Sequence, residues 1–447
     1  MSALWTAAEL RGVFGVDVGC DVSGISIDTR TLAPGDLFVA LQGERDGHEF
    51  VEAAFAKGAA AALVSRPVPG NVIVVRDTLK APERLGAAAR VRGAAKIVAV
   101  TGSVGKTTTK EMLRRCLGAF GVVHAAEASF NNHIGVPLTL ARMPRDAAFG
   151  VFEIGMNHPG EIAPLVALVR PDVAVITCVD RAHLGLMGSE EAIAREKAAV
   201  FGGLMPGGTA VIPGDSAFLP LLRAAVPVDA RALVFGEGAV DVRLLELNNS
   251  AEASEITGEI SGVEARFSLA APGRHMAMNA LSVLAAAAAL GLDVRAAAAA
   301  LDGFAPFSGR GARRRLAAAG GEALLLDESY NASGASMRAA LAVLALQPGR
   351  HVAVLGDMLE LGEFAREEHF ALLPAVLAGA DEVFTCGAWS KVLFDSLPRS
   401  KQGGHADDAA TLAPLVKAAL RAGDTVLVKG SYGSRMRDVI SVLESPA

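Results

Sequence analysis

Short apolar runs alternate along the chain with stretches whose apolar positions fall at helical spacing. In the first ~90 residues, Asp36 to Leu41, Ala60 to Val64 and Val72 to Val75 read as strands, and Glu49 to Lys57 as a short helix. Arg66-Pro67 to Pro69-Gly70 is a turn cluster, and a helix from Ala81 to Arg92 leads onward. A buried strand, Ile97 to Val100, then meets a Gly-rich turn and a helix from Lys106 to Leu117. Apolar strands recur at Gly150 to Ile154, Val173 to Thr177 and Thr209 to Ile212 with helical patterns between them. That alternation predicts a parallel sheet covered on both faces. Near Arg313 a second such series begins, with strands at Ala323 to Leu326, His351 to Leu355, Glu382 to Thr385 and Thr425 to Val428. The helical stretches Ala335 to Leu346 and Arg366 to Leu377 separate them, in the doubly wound manner.

The pattern therefore predicts an α/β protein of three domains, residues 1–93, 94–312 and 313–447. They are a small mixed α/β domain, a central parallel-sheet domain with a phosphate loop, and a C-terminal Rossmann-like domain. Gly303 to Arg315, with Pro306, three Gly and four Arg, reads as the hinge into the third.

The composition narrows the function. The 447 residues are 51% hydrophobic and 20% charged, which excludes a disordered chain. A net charge of −6 argues against a general nucleic-acid or anionic-membrane binder. Cys20, Cys116, Cys178 and Cys386 are scattered without a C-x-x-C pair, so no zinc site or disulfide framework is expected and a cytoplasmic setting fits. The most apolar long stretch, Leu281 to Phe304, is interrupted by Gly291, Asp293 and Arg295. It reads as a buried helix followed by a short second one, with no membrane insertion.

The clearest chemistry lies in Thr101-Gly102-Ser103-Val104-Gly105-Lys106-Thr107-Thr108. The usual phosphate loop has a further Gly where this chain has Val100, so the strict pattern fails by one residue. Its physical parts remain. Gly102 and Gly105 let backbone N–H groups curl around phosphate oxygens, and the helix start adds partial positive charge. Lys106 can reach the outer phosphates, and the Thr107 hydroxyl can hold Mg²⁺. A plain strand–turn–helix connection with a surface lysine is the alternative. No guanine-reading Asn-Lys-x-Asp segment is present, which counts against a GTPase.

Three further residues draw attention. Glu153 ends an apolar strand, where open α/β sheets bind ligands, and could share that Mg²⁺; otherwise it is a solvated carboxylate. His183 follows the next strand, and a site residue and a surface loop histidine are equal readings. Ser189 caps a helix on which Ile193, Lys197, Val200 and Phe201 share one stripe. Lys197 there either snorkels outward or meets a partner in the cleft.

An ordered series of segments resembles the ATP-dependent Mur ligases of peptidoglycan synthesis. Besides the phosphate loop it comprises Phe130-Asn131-Asn132-His133-Ile134-Gly135-Val136-Pro137, Glu153 to Ile162, His183-Leu184, Glu196-Lys197, Asp327 to Ala332, Leu355 to Gly362 and Val428 to Ser431. The Asn-Asn-x-x-Gly-x-Pro and Gly-Asp-Met-Leu-Glu-Leu-Gly segments point within that family to the dipeptide-adding branch. The resemblance implies a ligase joining D-alanyl-D-alanine to UDP-N-acetylmuramoyl-tripeptide through an acyl phosphate, releasing ADP and phosphate. It further implies two Mg²⁺ ions, a CO₂-derived carbamate on Lys197, a monomer in the cytoplasm, no nucleic-acid partner, and a place in cell wall biogenesis, cell shape and cell division.

By the same resemblance, Lys106 neutralises phosphate charge, Thr107 and Glu153 hold the first Mg²⁺, His183 binds the second, and carbamylated Lys197 supplies an anionic oxygen ligand to Mg²⁺. Gly102, Ser103, Val104, Gly105, Thr107 and Thr108 bind the ATP phosphates, Asn279 lies near the adenine, and Arg310 and Asp327 contact ATP when the third domain closes. Asn131 and Asn132 face the UDP-sugar-peptide. The first domain binds uridine diphosphate through Asp28, Thr29, Arg30, Gly47 and His48, with a turn-and-loop role as the alternative for His48. Asn279 as a helix cap and Arg310 as a linker charge also stay open.

Three departures stand out. Met276 and Pro213 replace more usual Asn-containing positions, and Ser333-Gly334-Ala335 replaces Asn-Pro-Asp. The rivals are folylpolyglutamate synthase, an earlier Mur ligase, and a non-catalytic ATP-binding relative. A separate first domain argues against the folate enzyme, and retention of Lys106, Glu153, His183 and Lys197 argues against a binding-only descendant.

Overall fold

The computed structural model describes residues 3–126, 129–238 and 240–445. It contains three sheets in chain order, one for each α/β series in the sequence.

The first is a four-stranded parallel sheet of β1 (Gly24–Ser26), β2 (Asp36–Val39), β3 (Ala61–Val64) and β4 (Val72–Val74), in that spatial order. β2 and β3 are fully buried, which is why they read as unbroken apolar runs. The predicted helix at Glu49 divides into a 3₁₀ turn, Gly47–Phe50, and a helix, Val51–Ala56. Helix Ala81–Arg92 carries the chain into the next sheet. This unit packs on the second through Trp5, whose indole N–H donates to Ala141 O at 2.9 Å, and Arg142, whose Nε donates to Ile25 O at 2.7 Å.

The second sheet holds β5 (Lys96–Thr101), β6 (Val123–Ala125), β7 (Phe149–Glu153), β8 (Val173–Ile176), β9 (Thr209–Pro213), β10 (Arg231–Gly236), β11 (Val242–Asn249), β12 (Ser254–Ile260) and β13 (Val263–Leu269). Their order is β13-β12-β11-β10-β9-β8-β5-β7-β6. It is parallel from β6 to β11, as the alternation predicted, but β11, β12 and β13 extend it as antiparallel hairpins. The apolar stretch from Leu281 lies in helix Arg274–Ala289, followed by the short helix Val294–Leu301. No helix among the described residues is long and apolar enough to cross a membrane.

The third sheet comprises β14 (Ala312–Ala318), β15 (Gly321–Glu328), β16 (His351–Gly356), β17 (Glu382–Cys386), β18 (Gln402–Ala406) and β19 (Thr425–Lys429). Its order is β14-β15-β19-β16-β17-β18, parallel except for the edge strand β14. Two expectations need correction. Ala312 to Arg315, read as part of the hinge, are strand residues paired to β15. The helix expected from Arg366 to Leu377 is broken into Ala365–Phe370 and Leu373–Gly379, with Pro374 in the first turn of the second piece, where a proline costs no hydrogen bond.

Candidate active site

From β5 the chain builds to one side of the second sheet, and from β8 to the other, so a crevice opens at the C-terminal ends of β5 and β8. The loop after β5 runs Gly102 to Gly105 and feeds helix Lys106–Gly118. Both glycines are required. Gly102 (φ +149°) and Gly105 (φ +87°) lie in backbone regions that side chains rarely adopt. A Cβ on Gly102 would come within 1.9 Å of Thr177 Oγ1, and one on Gly105 within 2.6 Å of Asn279 Oδ1.

The loop after β8 is stitched to this loop. Ser103 Oγ donates to Asp180 O at 2.8 Å, Asp180 N–H donates to Ser103 Oγ at 2.9 Å, and Thr177 Oγ1 donates to Val104 O at 2.5 Å. Lys106 Nζ folds back to donate to Gly102 O at 2.7 Å. Burial chiefly, with Arg310 adding, holds its ammonium below the usual range against the opposing pull of Glu153.

Glu153 ends β7 beside β5 and is 2% exposed, so it is no solvated carboxylate. Asn131 Nδ2 donates to its Oε1 at 2.8 Å. Its Oε2, like Thr107 Oγ1, is buried with no hydrogen-bond partner among the described residues. A buried oxygen left unpaired costs about 1–3 kcal/mol. A hydroxyl and a carboxylate beside a phosphate loop fit Mg²⁺, which is commonly held by one or two protein oxygens together with substrate phosphates and water. Among the described residues no group of three or more His, Cys, Asp or Glu is placed to hold a metal, so these oxygens fit a phosphate-completed shell rather than an all-protein cage.

Ser189 caps helix Glu190–Ala198 by accepting Ala192 N–H, as its sequence predicts. Lys197 on that helix is 1% exposed, which excludes snorkelling. Burial, reinforced by Lys106, brings its ammonium down to about 7. Its neighbour Glu196 accepts Gly160 N–H and Ile162 N–H, both at 2.8 Å, and so fixes the turn that follows β7.

His183 adopts φ +62° and turns its Nδ1 to Glu360 of the third sheet's unit. Two more residues of the same loop cross that boundary. Asp180 Oδ2 accepts Ala335 N–H at 3.2 Å, at the start of helix Gly334–Leu344, and Arg181 Nη1 meets Glu368 Oε1 at 2.7 Å.

Asn279 lies inside helix Arg274–Ala289, so it caps nothing, and its amide sits over Gly105. Arg310 stacks on the Tyr330 ring at 4.2 Å and acts electrostatically on both Lys106 and Lys429. Asp327 is 2% exposed and saturated: Oδ2 accepts from Ser308 Oγ, Gly309 N–H and Arg314 Nη2, and Oδ1 from Ser329 N–H and Oγ. It thus shapes the loop that carries Arg310. Asn132 Oδ1 accepts Ile134 and Gly135 N–H, starting helix Gly135–Ala141. Of the departures, Ser333 and Ser336 form their own capping box, which replaces the usual turn chemistry, and Met276 is buried in an apolar cluster.

The first sheet gathers a second group of candidates at its C-terminal edge. Asp28 and Arg30 pair at 2.6 Å after β1, and Thr29 O accepts Lys57 Nζ at 2.8 Å. Gly47 and His48 follow β2. His48 is buried with both ring nitrogens engaged: Nδ1–H donates to Asp46 Oδ1 at 2.6 Å and Nε2 accepts Ser65 N–H at 2.9 Å. Arg66 closes the cluster on Asp46 at 2.8 Å.

The sequence reading gave no role to Asp180, Arg181, Glu360, Asp46 or Ser65. Each works through a partner brought close by the fold.

Known proteins resemble the chain throughout its length. Residues 21–128 match the Mur ligase family catalytic domain, 100–287 the Mur ligase middle domain, and 313–432 the Mur ligase glutamate ligase domain. The UDP-N-acetylmuramoyl-tripeptide–D-alanyl-D-alanine ligase of Bacillus subtilis is 36% identical over 95% of this chain and 94% of its own. A crystal structure of MurF from Acinetobacter baumannii superposes with a TM-score of 0.88 at 31% identity, covering 98% of both chains. The MurF ligase of Thermotoga maritima in complex with ADP gives 0.81 at 27% identity, covering 94% of this chain and 97% of its own. The chain belongs to the ATP-dependent Mur ligase family.

Proposed function

We propose that the protein joins D-alanyl-D-alanine to UDP-N-acetylmuramoyl-tripeptide, with cleavage of ATP to ADP and phosphate. The observation that carries this reading is one crevice that keeps Lys106, Thr107, Glu153 and Lys197 in a chain collinear with dipeptide-adding ligases over 95% of its length. A free carboxylate is a poor acyl donor. Its attack on the γ-phosphate breaks the terminal P–O bond of ATP and gives an acyl phosphate. The dipeptide amine then attacks the acyl carbon, loses a proton, and phosphate departs. Little covalent work falls to the protein, so positioning and charge stabilisation dominate.

In this reading residues 1–93 hold the UDP end at the edge formed by Asp28, Thr29, Arg30 and Gly47. His48 acts as a strut there, because both its nitrogens are engaged. Residues 94–312 hold the phosphates through Gly102 to Thr108, with Asn279 toward the base and Asn131 and Asn132 toward the sugar-peptide. Arg310, on the loop just before residues 313–447, reaches the nucleotide with that loop shaped by Asp327 of the third domain. Thr107 and Glu153 would hold one Mg²⁺ and His183 a second; when bound, the ions screen phosphate charge. Lys197, with its ammonium at about 7, has a neutral fraction able to attack CO₂. From that neutral amine an N–C bond forms and one proton is released, so the side chain ends as an anionic oxygen ligand. A monomer in the cytoplasm completes this reading, and an ATP-driven enzyme with four free cysteines suits that compartment.

The test is phosphate release from ATP with each acceptor separately and together, with product mass measured for lysine- and diaminopimelate-containing tripeptides. Release only with both substrates, and a pentapeptide mass, is expected. A different acid–amine pair reacting while these stay inert would overturn the substrate assignment and leave the ligase chemistry standing.

A further inference from the structure

We propose that Glu360, carried by the third domain, is a positioning residue for His183: it fixes the imidazole tautomer, leaves Nε2 for a cation, and so completes that cation's site only when the two domains are docked. The inference rests on the reading that His183 serves the second Mg²⁺.

The contact is built on both sides. A carboxylate oxygen facing Nδ1 can only accept, so Nδ1 carries a proton, and of the two neutral tautomers this contact selects the one whose Nε2 lone pair is free for a cation. Nε2 makes no hydrogen bond among the described residues. Five non-glycine residues among those described have positive φ, and two of them, His183 (+62°) and Glu360 (+64°), face each other here. Such conformations are costly for residues with a side chain and persist where the surroundings enforce them.

The backbones meet as well. Gly185 N–H donates to Glu360 O at 3.0 Å. A Cβ on Gly185 would lie 2.4 Å from Gly362 N, so only glycine admits this approach. Glu360 stands on a braced loop. Asp357 accepts Trp389 and Ser390 N–H, Met358 N–H donates to His369 Nε2 at 2.9 Å, and Leu359 N–H donates to Ser431 Oγ at 2.9 Å. His183 stands on the loop stitched to Ser103 and Val104.

The chemistry gives the pair a purpose. Mg²⁺ prefers oxygen ligands, and a neutral imidazole is a weak one. A carboxylate on the distal N–H raises imidazole basicity and fixes its orientation, and loss of such a partner weakens metal binding about 10–100-fold. Docking itself does not depend on Glu360, because Asp180–Ala335 and Arg181–Glu368 also join the two units. His158, which also acts electrostatically on Glu360, is exposed and paired to Glu161 at 3.1 Å, so it serves as the control.

The test uses full-length protein with ADP and Mn²⁺ as the probe, counted by paramagnetic resonance. ¹⁵N imidazole spectra of the metal-free protein are recorded in parallel, and His183→Gln identifies the signals. Glu360→Ala is expected to abolish the Nδ1–H preference and weaken one Mn²⁺ class about 10–100-fold. Glu360→Asp should recover part of both, His158→Ala should change neither, and the scattering profile should stay that of the parent. If Glu360→Ala leaves tautomer and Mn²⁺ binding intact while His183→Ala weakens it, the positioning role is overturned and His183 remains a ligand. If Glu360→Ala opens the domains in scattering, Glu360 is a latch and the proposal falls. If His183→Ala alters no Mn²⁺ class, the ligand reading fails and the proposal with it.

Discussion

Asn131 engages one oxygen of Glu153 at 2.8 Å and leaves the other buried and unpartnered. The amide fixes the carboxylate plane so that Oε2 is the oxygen offered to a cation. Asn131→Ala should therefore act through the metal. Its Mg²⁺ requirement for phosphate release should rise about 10–100-fold, the usual cost of losing a ligand's orienting partner. A Mg²⁺ titration at saturating ATP checks this, and an unchanged midpoint would leave Asn131 to the sugar-peptide alone.

Lys197 carries a pH prediction. Its ammonium is brought down to about 7, so the neutral amine gains population as pH rises through that value. CO₂ reacts with the neutral form only. Reactivation of CO₂-depleted enzyme at fixed dissolved CO₂ should accelerate from pH 6 to pH 8 and level off above, followed by ¹³C carbamate signal and by activity. Lys197→Ala should lose roughly 10²–10³-fold in rate, as for other single charge-stabilising groups, and added bicarbonate should not restore it. Full activity in that variant would remove the carbamate from the mechanism.

The phosphate loop tolerates little. Gly105→Ala sets a methyl against Asn279 at a φ of +87°, and a non-glycine residue there costs about 1–3 kcal/mol. ADP affinity measured by calorimetry should fall at least tenfold, with a lower unfolding midpoint. Unaltered affinity would show that Asn279 moves away freely.

The parallel strands and the phosphate loop were legible in the sequence because buried parallel strands read as continuous apolar runs and the loop's chemistry is local. The β12–β13 hairpin was less so, although Ser261-Gly262, both at positive φ, sits between alternating strands and is the signature of a tight hairpin turn. Lys197 was visible as a misfit on an apolar stripe. Glu360 and Glu368 were not, because each acts on a loop some 180 residues away in sequence, at His183 and Arg181. Asp327 was singled out only by the family resemblance; two of its five donors come from nearby Ser329, but Ser308, Gly309 and Arg314 are brought to it by the fold.

Arg181 and Glu368 yield a stability prediction. Glu368 has a side chain only 4% exposed, and the Arg181 guanidinium is one of its charge partners. Arg181→Ala leaves that carboxylate buried with less compensation, a loss of about 1–3 kcal/mol. Thermal unfolding should fall by a few degrees, and solution scattering should show a wider separation of the third domain. Glu368→Gln should cost less, since the amide still bonds Arg181 without carrying a charge. Equal losses in the two variants would mean that packing, rather than the charge pair, holds this boundary.

His48 and Arg30 separate a strut from a contact. His48 is buried and ties Asp46 to the backbone of Ser65, whereas Arg30 is exposed and pairs only locally with Asp28. His48→Ala removes a buried two-sided link, so the unfolding midpoint should drop, with the KM for the UDP-substrate rising only as the edge loosens. Arg30→Ala should leave the midpoint within a degree and raise that KM several-fold, with kcat nearly unchanged, because a ground-state contact to a remote diphosphate stabilises substrate and transition state alike. The KM shift should also shrink as salt is raised, since an exposed cation is screened over about 10 Å at 0.1 M ionic strength. If His48→Ala alone raised KM at an unchanged midpoint, the histidine would be the ligand and Arg30 merely its neighbour.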